Sequence, residues 1–296
     1  MNFKRTNKGI SNYSFFHDVD LSIFTEGGDG ITYSKSDIYL GKGSDKSFDI
    51  LFWKKMFSLF RPNIKIHFKS VGSCETLKEI AKDIISKKIT GVCVVLDKDI
   101  SDLSKSKLQH PNVVYTKNYS WESDFFNEII IQKTLFSINP FLNQNEDIIF
   151  HIKDQLAKFE KKLKYPTIAD VLLLFAKKRL FERNINSGDI IFESNNLVPV
   201  INSKFIKGKI RNSRREIGKF SLIKKIKIET LKHCCGKTLM AVAIKIVQSI
   251  LKNYQKNTLP NEYCLGIMIT RFENLGKYKI PHRNYYENVI KKVNIP

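Results

Sequence analysis

Glu26, Asp97 and Asp99 are the residues whose setting points most directly to chemistry. Glu26 follows the alternating run Leu21-Ser22-Ile23-Phe24-Thr25 and precedes Gly27-Gly28-Asp29-Gly30. Asp97 and Asp99 close the apolar stretch Gly91–Leu96, with only Lys98 between them. Side chains of an extended chain alternate in direction, so Asp97 and Asp99 are expected on one side, just past a strand's carboxyl end. Open α/β sheets bind their ligands there. Neighbouring carboxylates repel each other unless a cation lies between them. Magnesium is held in this way, by one or two carboxylates with water and phosphate oxygens. Asp-x-Asp also suits a plain turn after a strand, and Glu26 also suits a surface turn. Asp29 reads first as a turn residue.

The surrounding pattern supplies the elements that would carry these groups. Leu21–Thr25, Lys65–Val71 and Asn112–Thr116 read as strands, and Gly91–Leu96 reads as a strand buried on both faces. Between them, Ile31–Ser47 reads as a loop or hairpin. Phe48–Phe57 reads as a helix, and a helix capped by Ser73 carries Leu77, Ile80, Ala81, Ile84 and Ile85 on one stripe. One helix is expected from the Trp121 region to about Phe136. The order β-α-β-α-β-β-α implies an α/β domain with a small, mostly parallel sheet. Glu122 follows a strand and opens a helix, so it is either a third acidic candidate or a complement to the helix dipole.

Composition bounds the partners. The chain has 296 residues, 42% of them hydrophobic, and a formal charge of +21 from 50 Lys and Arg against 29 Asp and Glu. That excess predicts attraction to a polyanion, of which nucleic acid is the usual one. No long apolar span and no signal-peptide pattern is present, so no membrane association is expected. Five cysteines without a C-x-x-C pair fit a reducing cytoplasm. Cys93 reads as a core residue.

The second half is set off by the polar, Asn-rich Pro140–Asp147. It is expected to be a basic, mainly helical domain over 141–296, following a domain over 1–140. Asp147–Leu163 and Thr167–Arg183 read as two helices separated by Tyr165-Pro166. Ser203–Lys237 holds twelve Lys or Arg and two Glu, a bias that favours phosphate contact. Arg211, Arg214 and Arg215 are the strongest single candidates, because guanidinium can grip phosphate with two donors. Lys224 and Lys225 extend the set. Gly236-Lys237-Thr238 is not a P-loop, since Leu231 stands where that motif needs glycine. His233-Cys234-Cys235 lacks a second ligand pair for zinc. Leu239, Val242, Ala243, Ile246, Val247 and Ile250 form a buried helix stripe, and Tyr285 and Tyr286 are expected to pack rather than to stack on bases.

The words Phe-Thr-Glu-Gly, Ser-Val-Gly-Ser, Val-Leu-Asp-Lys-Asp and Tyr-Thr-Lys-Asn-Tyr-Ser-Trp-Glu-Ser, in that order, resemble the OLD-like TOPRIM nucleases of bacterial anti-phage defence. Gly236-Lys237 is similar to that group's downstream Gly-Lys. Size and the basic second half look most like the toxin nucleases of the PARIS defence system. The resemblance implies a Rossmann-like TOPRIM fold for the first half. It implies Glu26, Asp97 and Asp99 as metal ligands for Mg2+ or Mn2+, with Glu122 and Lys237 in the same catalytic set. It also implies tRNA cleavage, an ABC-type ATPase partner that holds the nuclease inactive, and an active homodimer. A DNA endonuclease and a non-catalytic nucleic-acid-binding subunit are the alternatives. The family's second acidic position, four residues after the Glu, is Gly30 here. Asp29 and Asp45 are the two candidates to replace it.

Overall fold

A computed structural model describes residues 17–28, 30–184, 188–192, 199–214, 218, 227–255 and 259–295. The strands are β1 (Leu21–Thr25), β2 (Ile66–Ser70), β3 (Val92–Leu96), β4 (Val113–Tyr115), β5 (Ile190–Phe192) and β6 (Pro199–Ile201). The helices of the first half are α1 (Lys35–Tyr39), α2 (Phe48–Phe60), α3 (Cys74–Ile85), α4 (Trp121–Phe125) and α5 (Glu128–Ile138). Those that follow are α6 (Glu146–Phe175), α7 (Ser203–Asn212), α8 (Thr230–His233), α9 (Gly236–Gln255), α10 (Asn261–Glu273) and α11 (Arg283–Lys291). No described helix is long and apolar enough to cross a membrane.

Internal contacts divide the chain into two compact units. The first comprises Met1–Lys98, Ser106–Lys117 and His282–Pro296; the second comprises Asp99–Lys105 and Asn118–Pro281. This division differs from a boundary near 140. Helices α4 and α5 group with the helices that follow them, and α11 groups with the sheet.

The first unit is α/β. Its four strands form one sheet in the order β2-β1-β3-β4, and every pairing is parallel. Both central strands, β1 and β3, are buried along their whole length, as strands covered on both faces must be. Phe24, Val92, Val94 and Leu96 pack on one face with Ile38 of α1 and Leu77 and Ile80 of α3. Leu21, Ile23, Cys93 and Val95 point the other way and are equally buried. On that side α2 packs against β2, and Tyr286 of α11 sets its ring 5.8 Å from those of Phe52 and Trp53. Arg61, at the end of α2, donates to the carbonyls of Ile290, Lys291 and Val293. It thereby satisfies acceptors that the end of α11 leaves open. The last turn of the chain thus belongs to the sheet domain.

The second unit is mainly helical, with β5 and β6 as a short antiparallel ladder. Its centre is α9, whose expected stripe from Leu239 to Ile250 is buried; Met240, Ala241 and Ile244 are buried as well.

Three local expectations are corrected. Within Ile31–Ser47 the chain forms α1, because Ser34 accepts from the Asp37 N–H while the Asp37 carboxylate accepts from the Ser34 N–H. The helix expected from Trp121 to about Phe136 is two, because Phe126 is extended and Asn127 caps α5. The two helices expected on either side of Pro166 are one, α6, which carries Pro166 inside it. Proline removes one N–H and crowds the preceding turn. Burial of Ile152, Phe159 and Leu163 before it, and of Ala169, Val171 and Leu173 after it, outweighs that cost.

Candidate active site

In the first unit β1 connects outward to β2, whereas β3, on the other side of β1, leads outward to β4. The connections therefore diverge between β1 and β3, and a crevice opens at the carboxyl ends of that strand pair. Thr25 lies opposite Val95 in the parallel register. Glu26 and Asp97 are the first residues beyond β1 and β3, so the two carboxylates leave the sheet at its switch point. Both residues are half-buried. Apolar strands carry the chain to the crevice, and the acids begin where the strands end.

The turn after Glu26 is held from two directions. The Gly27 N–H donates to the Asp49 carboxylate at 2.8 Å, and the Gly27 carbonyl accepts from the Gly72 N–H at 3.0 Å. A Cβ on Gly27 would fall 2.4 Å from Asp49 Oδ1, so a larger residue there would displace the Asp49 carboxylate from this bond. Asp49, in the first turn of α2, was not singled out by sequence reasoning. Its signal is a carboxylate at a helix start, which sequence alone reads as dipole complementation.

Asp45 is exposed and lines, with Gly28, Lys46 and Phe48, a cavity of about 470 Å3. The Ile31–Ser47 segment therefore returns Asp45 to the side of the Glu26 turn. Asp29 lies outside the described residues.

Asp99 does not continue the alternation that was expected to align it with Asp97. Strand β3 ends at Leu96, and Asp99 is left-handed with φ 48°. Its N–H donates to the Tyr119 carbonyl at 2.7 Å, within the second unit. Between the two acids Lys98 is buried. Its N–H donates to Thr116 Oγ1 at 2.9 Å and its ammonium to the Lys117 carbonyl at 2.7 Å. These bonds tie the chain leaving β3 to the chain leaving β4.

Glu122 and Lys237 both belong to the second unit and meet there. Glu122 is 4% exposed; its Oε1 lies 2.6 Å from Lys237 Nζ, and its Oε2 accepts from Ser120 Oγ at 2.6 Å. Gly236 opens α9 against this pair: a Cβ there would lie 2.0 Å from Ser120 Oγ and 3.0 Å from Glu122 Oε2. The Gly-Lys dipeptide therefore lets the start of α9 close on α4. The neighbouring His233-Cys234-Cys235 is buried, and the cysteines are free thiols. Burial pushes the Cys234 thiol well up.

Of the basic candidates, Arg211 and Arg214 are exposed. Arg215, Lys224 and Lys225 lie outside the described residues. Lys209, in the same stretch, is engaged by Glu182 at 3.3 Å and Asp189 at 3.7 Å, so it is part of the second unit's own framework.

Among the described residues, no group of three or more His, Cys, Asp or Glu side chains is gathered as a protein cage for a metal would require. Two carboxylates at a sheet crevice suit the other mode, in which magnesium keeps several waters and takes further oxygens from substrate phosphate. The donor set of Glu26 and Asp97 fits that mode. No family model matches the chain, and no curated protein matches it.

Proposed function

We propose that this chain is a magnesium-dependent phosphodiesterase, a TOPRIM nuclease of the OLD-like kind, with Glu26 and Asp97 as its metal-holding carboxylates. The observation that carries this reading is the emergence of both acids at the β1/β3 switch point of an all-parallel sheet. Glu26 and Asp97 would hold a metal there with their carboxylate oxygens, and it would supply polarisation of the scissile phosphate and a lower pKa for the attacking water. Asp49 keeps the Glu26 turn in place through the Gly27 N–H. The net charge of +21 and exposed cations such as Arg211 and Arg214 provide the attraction for a polyanionic substrate. Asp99 is a proposed member of the catalytic set on resemblance alone, whereas Glu122 and Lys237, which the same resemblance includes, are proposed to brace the start of α9 against α4.

The same resemblance, to AriB of the PARIS system, supports tRNA as substrate. It also supports a cytoplasmic toxin role during phage infection, restraint by an ABC-type ATPase, and action as a homodimer. The test uses purified protein with tRNA and with duplex DNA, each with Mg2+, with Mn2+ and with chelator. Metal-dependent cleavage of tRNA that Glu26→Ala abolishes supports the reading. Cleavage of DNA alone moves the substrate to the DNA endonuclease alternative. A second reading is a nucleic-acid-binding subunit without chemistry, which the basic surface by itself would serve. Binding without cleavage of either substrate, with the partner present, would establish it.

A further inference from the structure

Helix α10 buries one stripe, made of Cys264, Leu265, Met268, Ile269 and Phe272. Its other face opens a cavity of about 400 Å3 lined by Glu262, Tyr263, Gly266, Ile267, Thr270 and Arg271, all within the second unit. That volume falls in the range of small-ligand pockets. The space over Gly266 is open, since a Cβ there would meet nothing within 4 Å. Tyr263 is 70% exposed, and no described ring or cation stacks on it. Arg271 is half-buried; its Nε–H is buried and meets no acceptor among the described residues. A buried guanidinium N–H without an acceptor is costly, and an anion on the guanidinium offsets that cost. Side chains of a helix lean towards its N-terminus, so Arg271 approaches the open space over Gly266 from one end, with Tyr263 at the other.

We propose that this cavity binds a nucleoside phosphate, with the base over Gly266 against the Tyr263 ring and the phosphate on the Arg271 guanidinium. An open aromatic face beside a cation is the pair of contacts by which proteins hold unpaired nucleotides. Ile267 adds an apolar wall for the base. Glu262, at the tyrosine end, would repel an acidic peptide, but it can accept from the amino group of a base. An unpaired nucleotide within a strand and a free nucleotide offer the same chemistry. The net charge of +21 favours the strand, whose many phosphates it attracts. The site requires nucleic acid as a ligand but not its cleavage, and it stands outside the basic Ser203–Lys237 stretch.

The test uses the full chain in chelator, so that binding is read without cleavage. Its probes are a fluorescent single-stranded RNA, the same RNA in a duplex, nucleoside monophosphates and an acidic peptide. Tyr263→Ala should weaken single-strand binding about tenfold, the scale of losing one stacked base, and leave duplex binding unchanged. Gly266→Leu, which fills the open space, should do the same. Arg271→Gln should lower the slope of log affinity against log salt by about 0.7, as loss of one phosphate contact to a single strand does. Tyr263 and Gly266 face open space, and an unchanged circular dichroism spectrum confirms the fold of their variants. Saturable binding of a monophosphate, weakened by the same variants, makes the free nucleotide the ligand; weakened binding of the strand alone makes it the unpaired nucleotide. The proposal is overturned if neither strand nor monophosphate binds, if the Tyr263 and Gly266 variants bind both like the wild type, or if the duplex loses as much affinity as the single strand. It is equally overturned if these variants instead weaken binding of the acidic peptide or self-association of the chain, read by sedimentation.

Discussion

Glu26 with Asp97 in the first unit and Glu122 in the second are all acids reached shortly after a parallel strand, yet they are accommodated in opposite ways. Glu26 and Asp97 are half-buried at a crevice where strand connections diverge, and the turn after Glu26 is held by Asp49 through the Gly27 N–H. Glu122 is almost fully buried, and two short contacts within its own unit engage both its oxygens. A carboxylate with both oxygens so engaged holds two elements together. Carboxylates at a half-open crevice are placed to meet a ligand. On this account the first pair acts on substrate and metal, and Glu122 with Lys237 fixes α9 against α4.

The sharpest way to break this contrast is to remove one acid from each region. Glu26→Ala or Asp97→Asn should lower metal-dependent cleavage by roughly 10^2–10^3-fold, the scale of losing one charge-stabilising group, with the melting temperature nearly unchanged. Glu122→Gln should instead lower stability by about 1–2 kcal/mol, because Lys237 is partly exposed and water screens the pair. Denaturant unfolding beside a cleavage assay separates the two outcomes. If Glu26→Ala destabilises the fold and Glu122→Gln does not, the two roles are reversed.

Gly236→Ala tests the second region by volume alone. Its Cβ would strike Ser120 Oγ, so a loss of about 1–3 kcal/mol is expected. Gly266→Ala is the control: it lies within α10 with open space around it, and helix propensity should make it neutral or stabilising by about 0.5–1 kcal/mol. Asp49→Ala sharpens the first region. It frees the Gly27 N–H without touching either proposed ligand, and should cost about 10–100-fold in activity, as loss of an orienting partner does. A larger effect on apparent Mg2+ affinity than on melting temperature would distinguish positioning from folding.

The smallest effect concerns acid stability of the first unit. Burial, with the charges of His17 and Lys69, lowers His67 to about 4, against an opposing Asp45. Its folded value is below its ordinary 6.5, so the unfolded chain takes up the proton first and stability declines as pH falls from 6.5 towards 4. For Asp83, burial would raise the carboxyl. Hydrogen bonds from Lys35 and Tyr39, and the charges of Lys35 and Lys88, outweigh it and hold the carboxyl below its ordinary range. That contribution is present above the ordinary carboxylate value and is lost as pH falls further. Melting temperature followed from pH 7 downward should decline less steeply through the upper window in His67→Asn.

Much of the first unit was legible in the sequence, because its signals are local. Strands β1 and β2 were marked by alternation, β3 by an apolar run and β4 by a short β-branched stretch, and Ser73 caps α3 as its type and place imply. What could not be read depends on distant partners. Asp49 is an ordinary first-turn acid until Gly27 is seen against it. Pro166 is a helix breaker until both halves of α6 are seen to bury apolar faces. The left-handed turn at Asp99 ends the period-two pattern one residue before it would have mattered. The return of the chain's end to the sheet rests on Arg61 and Tyr286, neither of which carries a pairing signal of its own.

The central claim is that Glu26 serves chemistry on nucleic acid. The most direct measurement is sequencing of cellular RNA ends after induction of this protein, beside Glu26→Ala expressed at the same level, without any partner ATPase. New ends confined to a narrow set of tRNAs, present with the wild type and absent with Glu26→Ala, are the predicted result. The same new ends appearing with both proteins would contradict the claim.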